Sequence, residues 1–515
     1  MAHLGSRRGR VLALPAGLAL TASLGFLPAG AASAAELSDA PAAAVATDGP
    51  KLSYVVNVAG GSKTPDRVRK AIAAAGGEVV VSYDRIGVIV VHSQNPAFAQ
   101  TIRTAPGVVS AGATRTAPLS AQSAFADDSV GEGSQTATPA EIQAAAAAAT
   151  DGQDPMEPLQ WDLRAIKADQ AHAKTLGSRN VTVGVIDTGV DDTHPDLAPN
   201  FDAAASANCV SGKADTTPGS WRPKPGESDH GTHVAGTIGA AKNGIGMTGV
   251  APGVKLAGIK VSTPDGYFFT EAVVCGFVWA AEHGVDITNN SYFTDPWMFA
   301  CKSDEDQKAL IEAVTRATRY AEKKGTVNVA AAGNSRFDLA ADSILDDGSP
   351  NDSTPGDRVI DPKECFDYPA MLPGVVTVSA TGAKDLKASY SNYGLGVIDV
   401  AAPGGDRTEY QTPDAPAVNG RIWSTTVNGG YNYKAGTSMA SPHVAGVLAL
   451  LKSTHPKASP AALKALLYAQ ADDRACTNPY DINGDGTVDA VCEGEKGYNG
   501  FYGAGLVDAL DAVRK

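Results

Sequence analysis

An α/β domain built on a doubly wound, mostly parallel sheet, preceded by a small α+β unit, is the architecture this sequence predicts. Beyond Pro155, short apolar runs alternate with helical patterns, as strands covered on both faces by crossover helices do. Residues 51–116 instead follow the order βαββαβ, a split β-α-β arrangement. Between them, residues 117–155 collapse to Ala, Ser, Gly, Thr and acids, which reads as a flexible, cleavable linker.

The first 34 residues read as a signal peptide. Arg7, Arg8 and Arg10 precede an apolar run over 11–27, and Ala32-Ser33-Ala34 supplies a small-residue cleavage site. Pro15 interrupts the run, which is too short for a membrane span. Arg10 stands where a twin-arginine signal carries an apolar residue, so general secretion is expected. The protein should be extracellular, with no membrane anchor. Export makes the six cysteines candidates for disulfides. Cys476 and Cys492 would close a short loop and are the one pair expected; the other four stay open between several pairings and free thiols. With 515 residues the chain can hold two or three domains. Its net charge of −14 argues against nucleic acid or an anionic membrane as partner and reads as solubility.

In the small unit, 54–58 is strand-like and Thr64-Pro65-Asp66 starts a helix. Val68, Ala71, Ile72 and Ala75 give that helix an apolar face, and Gly76-Gly77 stops it. Strands over 78–83 and 87–92, a helix over 96–104 and a strand near Val108 complete it. The alanines at 144–149 could make a short helix but lack an apolar face broad enough to fix it. In 156–515, strands are expected at 181–186, 254–259, 286–288, 326–331, 375–379 and 397–401. Helices are expected at 230–241, 270–283, 305–324, 442–454 and 459–469. In such sheets, sites gather at the C-terminal ends of strands.

The stretch Gly436-Thr437-Ser438-Met439-Ala440-Ser441-Pro442 reads as a sharp turn placing Ser438 at the mouth of the helix that Val444, Val447, Leu448 and Leu451 bury. Pro442 is expected in the first turn, where its missing N–H costs nothing. Free backbone N–H groups and the positive end of the helix dipole converge there, which suits a nucleophile whose product is an oxyanion. Asp187 ends a buried run, ahead of Thr188-Gly189, and His230 opens the helix of Asp229-His230-Gly231-Thr232-His233-Val234-Ala235-Gly236. Singly, each has an ordinary reading as helix cap, turn carboxylate or structural imidazole. Together they supply what acyl transfer needs: a hydroxyl, an imidazole to take its proton, and a carboxylate to orient the imidazole. Asn334, after Gly333 at the strand end Ala330-Ala331-Ala332, offers an amide N–H that could share an oxyanion hole with the Ser438 N–H. An α/β-hydrolase is excluded: position 440 is Ala rather than Gly, and no acid stands between Ser438 and the following His443 or His455.

Asp187-Thr188-Gly189, His230-Gly231-Thr232-His233-Val234-Ala235-Gly236 and Gly436-Thr437-Ser438-Met439-Ala440-Ser441-Pro442 resemble, in order, the three signatures of the subtilases. The chain order Asp, His, Ser is the one described for subtilisin, so it matches a known template. His194-Pro195-Asp196-Leu197, Gly249-Val250-Ala251-Pro252, Ala401-Ala402-Pro403-Gly404 and a closing Gly503-Ala504-Gly505-Leu506-Val507-Asp508-Ala509, similar to the family's last helix, extend the likeness from 156 to the C-terminus. The 51–116 unit is similar to the ferredoxin-like subtilisin propeptide. The resemblance implies a secreted serine endopeptidase made as a zymogen, with Asp187, His230 and Ser438 catalytic and no cofactor for catalysis. It further implies protein or peptide substrates, the chain's own propeptide as intramolecular inhibitor, and a monomer. The substrate strand would be Ser291-Tyr292-Phe293, facing Gly333.

Two features depart from the pattern. Ser291-Tyr292-Phe293-Thr294 replaces the usual Ser-Leu-Gly-Gly, so bulk at 293 and 294 should reshape the primary pocket toward small or unusual residues. Strong cleavage after Phe or Tyr would refute that. Asp481, Asn483, Asp485, Thr487 and Asp489 are spaced like an EF-hand loop, which suggests structural calcium, but Cys492 stands where the closing acid belongs. An Asx-rich turn stapled by Cys476 and Cys492 accounts for the same residues. At a second family calcium site, Lys242 beside Asp196 and Asn243 opposes a cation. Two other functions stay open: a tripeptidyl-type exopeptidase and an inactive subtilase-like binding protein.

Overall fold

The computed structural model describes residues 49–60, 64–119 and 134–514. The expected signal peptide and positions 120–133 of the expected linker lie outside the described residues.

The small unit consists of β1 (Leu52–Val58), α1 (Thr64–Ala74), β2 (Gly77–Tyr83), β3 (Val88–Ser93), α2 (Phe98–Arg103) and β4 (Val108–Ala113). Its antiparallel sheet has the order β2-β3-β1-β4. Successive strand residues point to opposite faces, and here both faces are covered. Tyr54, Val56 and Val58 of β1 and Ile89 and Val91 of β3 pack with Ile72 and Phe98 in the unit's own core, while Val55 and Val88 join the core of the larger domain.

The stretch read as a linker is in part ordered structure. Gln135 pairs with Tyr433, and Pro139–Ala148 forms a helix, α3, capped by Thr138 and Glu141 in a reciprocal box. Its Ala145 is buried in the main core. Thr-x-x-Glu with Pro at the first helical position is a start signal the compositional reading passed over. Alanine, moreover, lets a helix approach closely without a bulky face.

The large domain is a seven-stranded parallel sheet. Its strands are β5 (Thr182–Asp187), β6 (Ala207–Asn208), β7 (Lys255–Lys260), β8 (Ile287–Asn290), β9 (Val327–Ala331), β10 (Val376–Thr381) and β11 (Val400–Pro403), in the order β11-β10-β9-β8-β5-β7-β6. All but the two-residue edge strand match the expected runs within three residues. Its longer helices are α4 (His230–Gly239), α5 (Thr270–Glu282), α6 (Glu305–Lys324), α7 (Thr437–Thr454) and α8 (Pro460–Ala469). A hairpin, β12 (Ile422–Thr426) and β13 (Gly430–Lys434), leads into α7.

Two expectations at the C-terminal end are corrected. Helix α7 begins at Thr437, so Pro442 lies beyond the first turn. The segment 503–507 is not helical: Gly503 and Leu506 bridge to Val400 and Ala401, and a short helix, Ala509–Ala512, follows. Its glycines let the chain lie against the sheet edge, a role the motif resemblance did not convey. All six cysteines are paired: Cys209–Cys275, Cys301–Cys365 and the expected Cys476–Cys492. Among the described residues no helix is long and apolar enough to cross a membrane.

Candidate active site

Asp187 is the last residue of β5 and is fully buried. Its Oδ1 accepts from Thr188 N at 2.7 Å and faces His230 Nδ1 at 2.8 Å. With the carboxylate as acceptor, Nδ1 is the donor nitrogen of this contact. Close packing holds the pair. Gly231 N donates to Thr188 Oγ1 at 2.9 Å, and a Cβ on Gly231 would run into Gly189 O and stand 3.0 Å from Asp187 Cβ. Only a bare backbone lets α4 start this near the end of β5. His233, one turn on, is buried; desolvation and the Lys434 charge push its pKa well below the usual value, and it meets Asn432 O at 3.2 Å. It is a structural imidazole.

Ser438 lies in the first turn of α7, which packs on α4 through Val444, Val447, Val234 and Ile238. Pro442 has no N–H for the carbonyl four residues back, which belongs to Ser438. Ser291, just past β8, fills the gap: its Oγ donates to Ser438 O at 3.0 Å and meets Ser441 Oγ at 2.8 Å. Ser438 Oγ in turn donates to Ser291 O at 3.2 Å. The proline that looked like a first-turn residue thus couples the helix start to the segment that follows β8.

Asn334 follows β9. Its Oδ1 accepts from Thr437 N and Thr437 Oγ1, both at 2.9 Å, which fixes which end of the amide is which. A Cβ on Gly436 would sit 3.5 Å from Asn334 Nδ2 and 3.6 Å from Ser438 N. Two N–H donors therefore flank one small space beside Ser438, as an oxyanion site requires. Gly333, at φ 96°, adopts a backbone that side-chain-bearing residues avoid. Asn392 splints this loop: Nδ2 donates to Ala332 O at 2.8 Å, and Oδ1 accepts from Ser335 N and Phe337 N at 3.0 and 2.9 Å. Nothing in the sequence pattern marked Asn392, because it acts across strands.

A cavity of about 100 Å³ opens beside these groups, lined by Ser291, Tyr292, Phe293, Gly333, Asn334 and Ser438, with Met298, Asp367 and Asn392. Tyr292 stacks on Phe268 with ring centroids 4.4 Å apart and bonds Asn290 Oδ1 at 3.0 Å. Burial and the Asp187 charge push its phenol well above the usual range. Thr294 is buried outside the lining, so of the two bulky replacements only Phe293 shapes the cavity. Asp367 was missed: in sequence, Phe366-Asp367-Tyr368-Pro369 looks like any turn.

The other predicted groups lie apart from this cavity. In the 481–489 loop, Asp481 accepts from Gly484, Asp485 and Gly486 N–H groups, Asp485 from Thr487 N and Asp489 from Ile482 N. Asn483 bonds Asp485, and no three His, Cys, Asp or Glu among the described residues are grouped to hold a metal ion. Lys242 bonds both oxygens of Glu157, at 2.8 and 3.1 Å, while Asp196 takes Met247 N, Asn243 and Tyr431 OH.

The seven-stranded parallel sheet sets Asp187 against His230 at one strand end and Asn334 against the start of α7 at another. Residues 178–505 match the model of the subtilase family, peptidase S8, and the chain belongs to that family. It is 33% identical over 332 residues to subtilisin BL of Lederbergia lenta, covering 64% of this chain and 97% of that protein. To subtilisin DY of Bacillus licheniformis it is 34% identical over 301 residues, covering 58% of this chain and 87% of that one. The fold resembles the epidermin leader peptide processing serine protease of Staphylococcus aureus, at TM-score 0.64 and 23% identity over 90% of this chain and 98% of that one. It also resembles fervidolysin of Fervidobacterium pennivorans, a keratinolytic enzyme related to subtilisin, at TM-score 0.59 and 25% identity over 90% of this chain and 61% of that one. The protein is thus a subtilisin-like serine peptidase acting on peptide substrates, and the region ahead of the family match is consistent with a propeptide.

Proposed function

We propose that the chain is a secreted endopeptidase made as a zymogen, with residues 51–116 as its propeptide and Asp187, His230 and Ser438 as its catalytic triad. The 2.8 Å contact between Asp187 and His230 carries this reading. His230 takes the Ser438 proton on Nε2 as Oγ attacks the substrate carbonyl carbon. Charge on the carbonyl oxygen is met by Asn334 Nδ2 and Ser438 N–H. The tetrahedral intermediate collapses to an acyl-enzyme as His230 passes the proton to the departing amine. Water, deprotonated by His230, then releases the acid.

A serine-reactive fluorophosphonate should label Ser438 of the processed protein and abolish proteolysis. Processed, folded protein that takes no label would favour the binding-protein reading. Products cut only three residues from the N-terminus of a long peptide would favour the exopeptidase. No cofactor serves catalysis in this reading. The 481–489 loop carboxylates accept backbone N–H groups within their own turns, and we propose that the loop is held by those turns and the Cys476–Cys492 bridge. A melting temperature raised by calcium in the wild type but not in Asp481→Ala would overturn that.

A further inference from the structure

The cavity beside Ser438 holds a carboxylate that the mechanism above does not use. Asp367 is 4% exposed, and its Oδ1 has no hydrogen-bond partner. Burial pushes its pKa well above the usual carboxylate range, and no cation among the described residues opposes the shift. Other buried acids of this domain have partners: Glu271 faces Arg115, Asp346 faces Arg358, and Asp187 faces His230. A buried acid left without one is costly to keep and marks a place where a ligand completes the set.

Its surroundings say what that ligand offers. Asn392, the polar neighbour, spends both ends of its amide on backbone groups. A side chain on Gly333 would collide with Asn392 and stand 3.3 Å from Asp367 Oδ2, so the bare backbone there keeps space beside the carboxylate. Phe293 and Met298 line the same cavity with apolar surface. Apolar walls with one acidic group suit a side chain with a methylene stem and a cationic head. We propose that Asp367 is a specificity-determining residue selecting lysine or arginine at the position whose carbonyl Ser438 attacks. The assignment rests on Ser438 being the nucleophile and deepens that reading.

The test uses the enzyme expressed as the full chain and allowed to mature. Peptides differing only at the cleaved position would carry Arg, Lys, Gln, norleucine or Phe. Arg and Lys should exceed norleucine in kcat/KM by about 100-fold, and Asp367→Asn should bring that ratio down to about tenfold or less. Benzamidine should inhibit the unaltered enzyme competitively. Norleucine, Gln or Phe cleaved as fast as Arg, with no inhibition by benzamidine, would overturn the assignment. If a thermal melt shows Asp367→Asn unfolded, the peptide series and benzamidine on the unaltered enzyme still decide. Fluorophosphonate labelling separates the two readings: Ser438 labelled without cation preference defeats this inference alone, and no labelling defeats both.

Discussion

The candidate active site and the face where the small unit meets the large domain are held together by different contacts. At the centre, the polar groups are buried and locked by backbone approach: Asp187 meets His230 at 2.8 Å, and Gly231 leaves no room for a Cβ. At the docking face, charges of the two domains meet. Arg115 pairs with Glu271 in the first turn of α5, and Arg103 pairs with Asp306 in the first turn of α6. Arg316 of α6 donates in return to Val58 O and Gly87 O, each at 2.9 Å, and Asn57 donates to Ala309 O at 2.9 Å. Water can replace most of these partners if the small domain leaves, but nothing replaces the packing around Asp187. The first region depends on close backbone packing, and the second on ion pairs beside a few buried apolar contacts.

The sharpest test of the first half is Asn334→Ala. It should cut kcat by about 10²–10³-fold with KM nearly unchanged, because the donor acts on charge that forms in the transition state. An equal loss in KM would show Asn334 to be a ground-state binding group. Next comes Arg115→Ala, which strands Glu271 with its side chain 3% exposed. In a Ser438→Ala background, it should weaken docking by about 3 kcal/mol, seen as faster proteolysis of residues 51–116.

The same pair predicts a pH dependence. Burial raises the Glu271 pKa, but Arg115 and a Thr114 hydrogen bond outweigh it, and the net value falls below the ordinary 4.5. Its contribution to docking is therefore complete above about pH 4.5 and is lost as pH falls through the depressed value. Release of the small domain on acidification, blunted by Glu271→Gln, is the expected outcome. Smallest is Arg103→Ala, whose partner Asp306 has a side chain 45% exposed; it should cost under about 1 kcal/mol and vanish in high salt.

Much of the site was legible because its residues sit at strand ends and helix starts that local pattern reveals. Asp187 closes an apolar run, His230 opens a helix, and Asn334 follows a strand, so local pattern placed three candidate groups at element ends. Pro442 was misplaced because the partner that satisfies the Ser438 carbonyl is Ser291, far away in sequence. The α3 helix was weighed only as a short alanine helix without a broad apolar face, although its capping box was there to be read.

The order of chemistry-bearing motifs, the alternation of strands and helices and the pairing of Cys476 with Cys492 were legible in the sequence alone, since each motif, element and short loop is a local stretch of chain. Only the folded chain decided which residues line the cavity, how the other four cysteines pair, and that Asp367 is buried. Those outcomes depend on which distant segments exclude water from one another, and local pattern carries no record of that.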